Sequence, residues 1–383
     1  MRILHYIHQL KSNDLLGDYL RHLVSALKEQ SEVYVATRES DIQESLDESN
    51  PDIVHIHGCW DRYAYKLMRE TVRQGFAVVL SPHGEIGTYS MKHERYLEKS
   101  AELVAYQRRM VSQAEAILVT SDDEKNSILS LGWQKRIDVI PASILDSSIT
   151  DEEMAKRMLW FYGKVIDTRY RRMMTDSEKE AVRSLMHVGM AHDENMALLD
   201  SDRILTLRGL KPDQWRRLLL YADDEDLRYI FDNAAKRMQL QIPAIDTSKI
   251  SRYPTDEPKA MGELPVDRLI GGNKLLAHKL KDVTADDPEE LREITTMLVN
   301  ARTLLRKRQM SMRHLAELYD AIKYVDYDES RLVDISKDMK LRKFLRRMLQ
   351  VLADEVYLEE GFMPDNPLND SGERTIKSRL LIS

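Results

Sequence analysis

Pro51-Asp52-Ile53-Val54-His55-Ile56-His57-Gly58-Cys59-Trp60-Asp61 and, one helical interval later, Ala77-Val78-Val79-Leu80-Ser81-Pro82-His83-Gly84-Glu85 decide the fold of this chain. Each begins with a short run that is apolar on both faces. A strand needs that only when helices cover both sides of its sheet. Each run then ends in a histidine beside a glycine, where the chain turns. Between them Asp61–Gln74 has helical spacing and stops at Gly75, a residue suited to a helix C-cap. Runs of the same kind recur at Ile3–Ile7, Glu32–Thr37, Ala116–Thr120 and Ile137–Ile140. Asp18–Glu29 carries Leu20, Leu23, Val24 and Leu27 on one helical face, and a long segment, Lys92–Gln113, precedes the fifth strand. Ser121-Asp122-Asp123 opens a short helix that Gly132 stops, with the two aspartates as capping residues. The alternation predicts a Rossmann-like, doubly wound parallel sheet over residues 1–150.

Ligands of open α/β sheets sit outside the carboxyl ends of the strands. Here those ends hold His8 after the first strand, His57 to Asp61 after the third, and Ser81 to Glu85 after the fourth. His8, His57 and His83 are therefore expected on one rim. Gly58 and Gly84 permit close backbone approach by a ligand or a tight turn. Trp60 is either a platform for a sugar ring or a packing residue against the following helix. Asp61 and Glu85 are acceptors for hydroxyls. His55 and His57 share a strand face, but the sequence shows no third ligand, so no metal site is expected. Cys59 has no activating pattern around it and reads as a small buried residue.

These blocks, with Ala114-Glu115-Ala116-Ile117-Leu118-Val119-Thr120-Ser121, Leu131-Gly132-Trp133 and Arg136-Ile137-Asp138-Val139-Ile140-Pro141, occur in an order that resembles the N-terminal domain of family 4-like glycosyltransferases. The version found in bacterial polysaccharide loci is the nearest in pattern. The resemblance implies a GT-B fold and transfer of a glycosyl unit from a nucleotide sugar to a surface glycan or lipid-linked acceptor. It implies retaining stereochemistry and no metal or other cofactor. It places His83 at the reacting centre as the catalytic residue, and makes His8, Gly17, His57, Gly58, Trp60, Asp61, Gly84 and Glu85 acceptor- or substrate-binding. Three features depart from the family pattern. The loop Ser12-Asn13-Asp14-Leu15-Leu16-Gly17-Asp18 has one glycine where the family pairs two. Pro141-Ala142-Ser143 replaces Pro-Asn-Gly. No pair of glutamates separated by seven residues follows residue 150; the pair at that spacing is Glu94 and Glu102. A second reading follows: a catalytically inactive subunit that binds acceptor and a partner protein carrying a donor domain.

After residue 150 strand-like runs nearly vanish. Asp151–Tyr162, Thr175–Met190, Asp213–Tyr221, Asp224–Met238, Pro288–Asp320 and Ser336–Glu359 have helical spacing. The expectation is an all-α second half: a helical segment over 151–240, an irregular connector over 241–273, a helical domain with basic faces over 274–360, and an irregular tail over 361–383. Arg302–Arg313 and Lys337–Arg347 are basic stretches that read either as solvated helix faces, which is favoured, or as peripheral contacts with an anionic membrane. A net charge of −7 over 383 residues argues against a nucleic-acid partner. The single cysteine excludes an internal disulfide. With no signal-peptide pattern and no apolar run of roughly 20 residues, the expected compartment is the cytoplasm, with the inner face of the membrane as the site of any peripheral contact.

Overall fold

The computed structural model describes residues 1–11, 14–86, 106–192, 199–254 and 262–380. The chain divides into two compact units, Met1–Met173 with Ile250–Thr255, and Met174–Lys249 with Asp256–Ser383.

The first unit is built on six parallel strands, β1 (Arg2–Ile7), β2 (Glu32–Ala36), β3 (Ile53–His57), β4 (Ala77–Ser81), β5 (Ala116–Val119) and β6 (Ile137–Val139). Their spatial order is β2-β1-β3-β4-β5-β6. The order reverses direction between β1 and β3, which makes the crevice at their carboxyl ends the switch point where such sheets take ligands. Alternate residues of each strand serve opposite faces. Ile3, Ile53, Ala77 and Val79 pack under α1 (Leu15–Leu27). Leu4, Tyr6, Val54, Ile56, Val78 and Leu80 face the other side. There they meet α2 (Ile42–Ser49), α3 (Arg62–Arg73), α4 (Arg108–Gln113) and α5 (Asp122–Leu131). Of the long segment Lys92–Gln113, the part up to residue 105 lies outside the described residues.

The first unit runs beyond the expected boundary at residue 150. Helix α6 (Asp151–Thr168) buries Met154, Ala155, Met158, Phe161, Tyr162 and Val165 in the same core as α1. This apolar stripe covers sheet surface that α1 leaves bare. After α7 (Tyr170–Met173) the chain leaves the unit, and it returns at residue 250. Tyr253 then bonds Asp138 through its hydroxyl at 2.6 Å and Thr168 through its backbone N–H at 2.9 Å. Lys164 lies 3.9 Å from the centre of the Tyr253 ring and 2.8 Å from Asp138. Part of the expected irregular connector is therefore a piece of the first unit.

Among its described residues the second unit is helical. It contains α8 (Asp176–Met190), α9 (Ser201–Arg208), α10 (Pro212–Asp224), α11 (Arg228–Met238), α12 (Lys274–Val283), α13 (Glu289–Lys307), α14 (Met312–Tyr324), α15 (Glu329–Asp338), α16 (Arg342–Val356) and α17 (Ser371–Lys377). The continuous helix expected over 288–320 breaks at Arg308, whose φ of 55° is left-handed. Lys340, also at 55°, likewise separates α15 from α16. The tail expected to be irregular carries α17, whose N-cap Asp370 accepts from the Gly372 and Glu373 amides. Asp370 also pairs with Arg347 at 2.6 Å, while Arg342 pairs with Asp365 at 2.7 Å and Lys337 with Asp334 at 2.8 Å. Much of the charge on the stretch Lys337–Arg347 is thus met by carboxylates of the same chain.

Helices α8 and α11 cross where Gly189 meets Ile230. A Cβ on Gly189 would overlap the Ile230 carbonyl oxygen, and backbone cannot swing aside as a side-chain tip can. Gly189→Val is expected to destabilise the second unit by about 3 kcal/mol or more, as overpacking against a fixed neighbour does. Its urea midpoint should fall accordingly; a midpoint equal to the parent's would show that the two helices do not meet at this point.

Candidate functional site at the strand ends

The switch-point crevice holds a pocket of about 500 Å³. Its lining includes His8, Lys11 and Asp14 from the chain after β1, Arg38 after β2, His57 to Tyr63 after β3, and Glu85 after β4. Two turns bring these residues together. After β3 the backbone becomes left-handed at Gly58 (φ 89°) and Trp60 (φ 60°), and after β4 at His83 (φ 50°) and Gly84 (φ 83°). Gly58 N–H donates to the Ser81 carbonyl at 2.8 Å, tying one turn to the other strand. The Glu85 carboxylate accepts from the Cys59 amide and lies within 4.0 Å of where a Gly58 side chain would begin. On the other side, Glu124 accepts from the Gly84 amide at 2.6 Å and the Thr120 amide at 3.2 Å. The rim is thus fixed by side-chain carboxylates bonded to turn amides.

Most of the residues expected at the site line this pocket, with three differences. Gly17 does not; it sits in the first turn of α1, where a Cβ would come within 2.8 Å of the Lys11 carbonyl. Close packing of the preceding loop accounts for it. Gly84 and His83 lie beside the lining, Gly84 exposed and His83 half-buried. Trp60 lines the pocket and also packs against the apolar layer on the α3 side of the sheet. Its backbone N–H donates to Gln107 at 3.0 Å and its indole N–H to the Glu85 carbonyl at 3.1 Å.

Asp61 caps α3 by accepting from the Tyr63 amide at 2.9 Å. It also accepts from the Tyr6 hydroxyl, and it lies 3.1 Å from His8. Burial alone would raise its carboxyl. The hydrogen bonds from Tyr6, Tyr63 and His8 outweigh that, holding it below the usual carboxylate range. Lys11, Arg38 and Arg62 line the same pocket and form no ion pair with a carboxylate among the described residues.

Behind the pocket lies a feature the sequence concealed. His5 on β1 and His55 are register partners, and His57 stands opposite Ile7 on one side and Ser81 on the other. By strand alternation His5, His55, His57 and Ser81 share the face beneath α1 and α6, where Tyr19 and Tyr162 border them. His5, His55 and His57 are 0 to 2 % exposed. His57 Nδ1 lies 3.0 Å from His83 Nε2, and His57 Nε2 lies 2.9 Å from His5 Nδ1. His55 bonds Tyr162 at 2.6 Å and Ser81 at 2.7 Å. Burial drives the imidazole of His5 down to about 3 and that of His83 to about 4, and those of His55 and His57 well below their ordinary value. These rings are neutral at pH 7.

His5 supplies the third nitrogen that the sequence did not show beside His55 and His57, and the three ligand nitrogens lie within 4.8 Å of one another. A metal ion would have to displace one of the two ring contacts of His57 and one of the two bonds of His55. The arrangement is that of a hydrogen-bonded file of imidazoles. The signal that could have exposed it is the match of parity and register: His5 stands as far along its strand as His55 does along its neighbour.

The model for Glycosyltransferase Family 4 matches residues 19–144. No curated protein and no solved structure matches the chain. The matched stretch begins within α1 and ends just after β6, so it includes both turns that build the pocket rim. Sheet order, pocket position and family match agree: residues 19–144 of the first unit match glycosyltransferase family 4, consistent with a domain of the GT-B N-terminal type.

Proposed function

We propose that this protein transfers a sugar from a nucleotide sugar to a surface glycan or lipid-linked acceptor, with the acceptor held in the switch-point pocket of the first unit. The observation that carries this reading is the pocket's composition. Neutral, buried His57 lines it with half-buried His83 beside it, and three cations without carboxylate partners among the described residues complete the lining. Lys11, Arg38 and Arg62 suit the phosphates of a lipid-linked saccharide, since cations meet phosphate oxygens in charge-assisted hydrogen bonds. His83 is the proposed catalytic residue, and His8, His57, Gly58, Asp61 and Glu85 the proposed acceptor-binding ones. Assembly of a bacterial surface polysaccharide is the proposed setting.

A second reading has its own support. The described residues of the second unit contain no parallel sheet of the kind that holds a nucleotide diphosphate. On this reading the chain is an acceptor-binding subunit and a partner protein brings the donor domain. No helix among the described residues is long and apolar enough to cross a membrane.

Titration calorimetry with UDP, GDP, ADP and dTDP, and with a short-chain lipid diphosphate saccharide, separates the two. Transfer by this chain alone requires micromolar binding of one nucleotide as well as of the saccharide. Saccharide binding without nucleotide binding selects the partner-dependent reading. In either case Arg38→Ala with Arg62→Ala is expected to weaken the saccharide about tenfold or more, at the usual strength of charge-assisted hydrogen bonds. A chain that binds neither ligand sinks both readings.

A further inference from the structure

Two buried imidazoles stand in single file behind His83. The order is His83, His57, His5, with nitrogen separations of 3.0 and 2.9 Å and ring centres 5.3 and 5.2 Å apart. At the far end His5 Nε2 is buried and has no hydrogen-bond partner among the described residues. A neutral imidazole has one N–H and one lone pair. In such a file the choice made at one ring therefore fixes the others.

Two arrangements satisfy both inner bonds. In the first, every ring is protonated on Nδ1. His5 then donates to His57 Nε2, His57 donates to His83 Nε2, and Nδ1 of His83 carries a proton. In the second, every ring is protonated on Nε2, the bonds run the other way, and Nδ1 of His83 is a bare lone pair. Both leave an orphan at His5 Nε2, but of different kinds. The first leaves a buried lone pair and the second a buried N–H. Orphaned N–H groups are the rarer in folded proteins, whereas acceptors go short of partners more often. The first arrangement is the cheaper one.

We propose that His5 and His57 are positioning residues that hold His83 as its Nδ1–H tautomer, so that His83 meets its ligand as a hydrogen-bond donor and not as a proton acceptor. The class of group it recognises is then an oxygen with lone pairs to offer, such as a phosphate or sugar oxygen. Burial supports the scheme by keeping His5 and His83 neutral at pH 7. The bearing on ligand recognition rests on the acceptor-site reading above, whereas the tautomer itself does not.

The test is long-range ¹H–¹⁵N correlation NMR on the full chain with ¹⁵N-labelled histidine at pH 7, with the His83 signals assigned by their loss in His83→Asn. Nδ1 of His83 should resonate as the protonated nitrogen and Nε2 as the bare one, with on the order of a tenfold excess of that tautomer. His5→Leu, which removes the donor at the end of the file, is expected to let His83 spread over both tautomers. His5→Asn, whose amide can donate from near the position of Nδ1, should restore the parent spectrum. A parent protein with His83 protonated mainly on Nε2, or a His83 pattern that His5→Leu leaves unchanged, overturns the proposal. Should His5→Leu fail to fold, the parent tautomer decides alone. The spectrum needs no ligand, so it is read independently of the calorimetry.

Discussion

Lowering the pH from 7.5 to about 4.5 is expected to strip the first unit of most of its stability. His5, His55 and His57 are buried among one another, and burial holds the pKa of each far below its ordinary value. In the unfolded chain the same side chains titrate near 6.5. Above that pH both states are neutral and the histidines cost nothing by protonation. Below it the unfolded chain takes up protons that the folded unit refuses. Each histidine then removes about 1.4 kcal/mol of stability per pH unit, until the folded pKa is reached, near 3 for His5. Three of them acting together remove about 4 kcal/mol per unit, against a total of about 5–15 kcal/mol for a typical domain. His83, with a folded pKa near 4, adds a further loss of the same kind down to about that pH. Urea titrations at pH 7.5, 6.0 and 5.0 measure the slope directly. Stability that stays level over that range would mean that the seam is hydrated or already charged.

Removal of the His83 side chain should act on function and spare the fold. His83 lies on a turn with left-handed backbone, where alanine costs only modestly more than histidine, and it belongs to neither hydrophobic core. If the side chain bonds a substrate oxygen as the transition state forms, His83→Ala is expected to slow transfer about 10²–10³-fold, the usual loss for one preorganised donor. His83→Asn separates donor from base. Its amide N–H can still donate but cannot take up a proton, so it should retain clearly more activity than alanine. Equal loss in both variants would instead assign His83 the work of a general base. Because its pKa lies near 4, rates between pH 6 and 8 should show no inflection from this residue. Both variants are assayed with the nucleotide that calorimetry identifies, supplemented by the donor-domain partner if the chain binds none alone.

The strands were legible because each of the central ones is apolar on both faces, a pattern helices and edge strands do not need. Four of the six, β1, β3, β4 and β5, are buried along nearly their whole length. The rim was legible for a related reason: His57, Gly58, Trp60, Asp61 and Glu85 follow directly on those runs, and chain order carries them to the strand ends. His5 was not legible as a site residue. Its role comes from parallel register, which aligns it with His55 from 50 residues away, and no local pattern encodes register. The boundary after residue 150 failed for a different reason. An amphipathic helix announces its apolar face, and Met154, Met158, Tyr162 and Val165 do so, but not the surface that face will cover. Similarly, Arg308 and Lys340 adopt left-handed backbone without glycine, so nothing in their identity marks the two helix breaks.

The return of residues 250–254 to the first unit has a consequence for the order in which the protein can be finished on the ribosome. The sheet and α6 are complete once Thr168 has emerged. The hydroxyl that closes on Asp138 and the ring that lies over Lys164 belong to Tyr253, and they arrive only after Met174–Lys249 has been translated. At about 5–20 residues per second the nascent first unit waits for several seconds with that seam open. During this interval Asp138 lacks the Tyr253 hydroxyl and Lys164 lacks the Tyr253 ring. A nascent-chain species with this one edge unsealed, and the histidine seam already closed beneath α1 and α6, is thus an obligatory stage of vectorial synthesis for this chain.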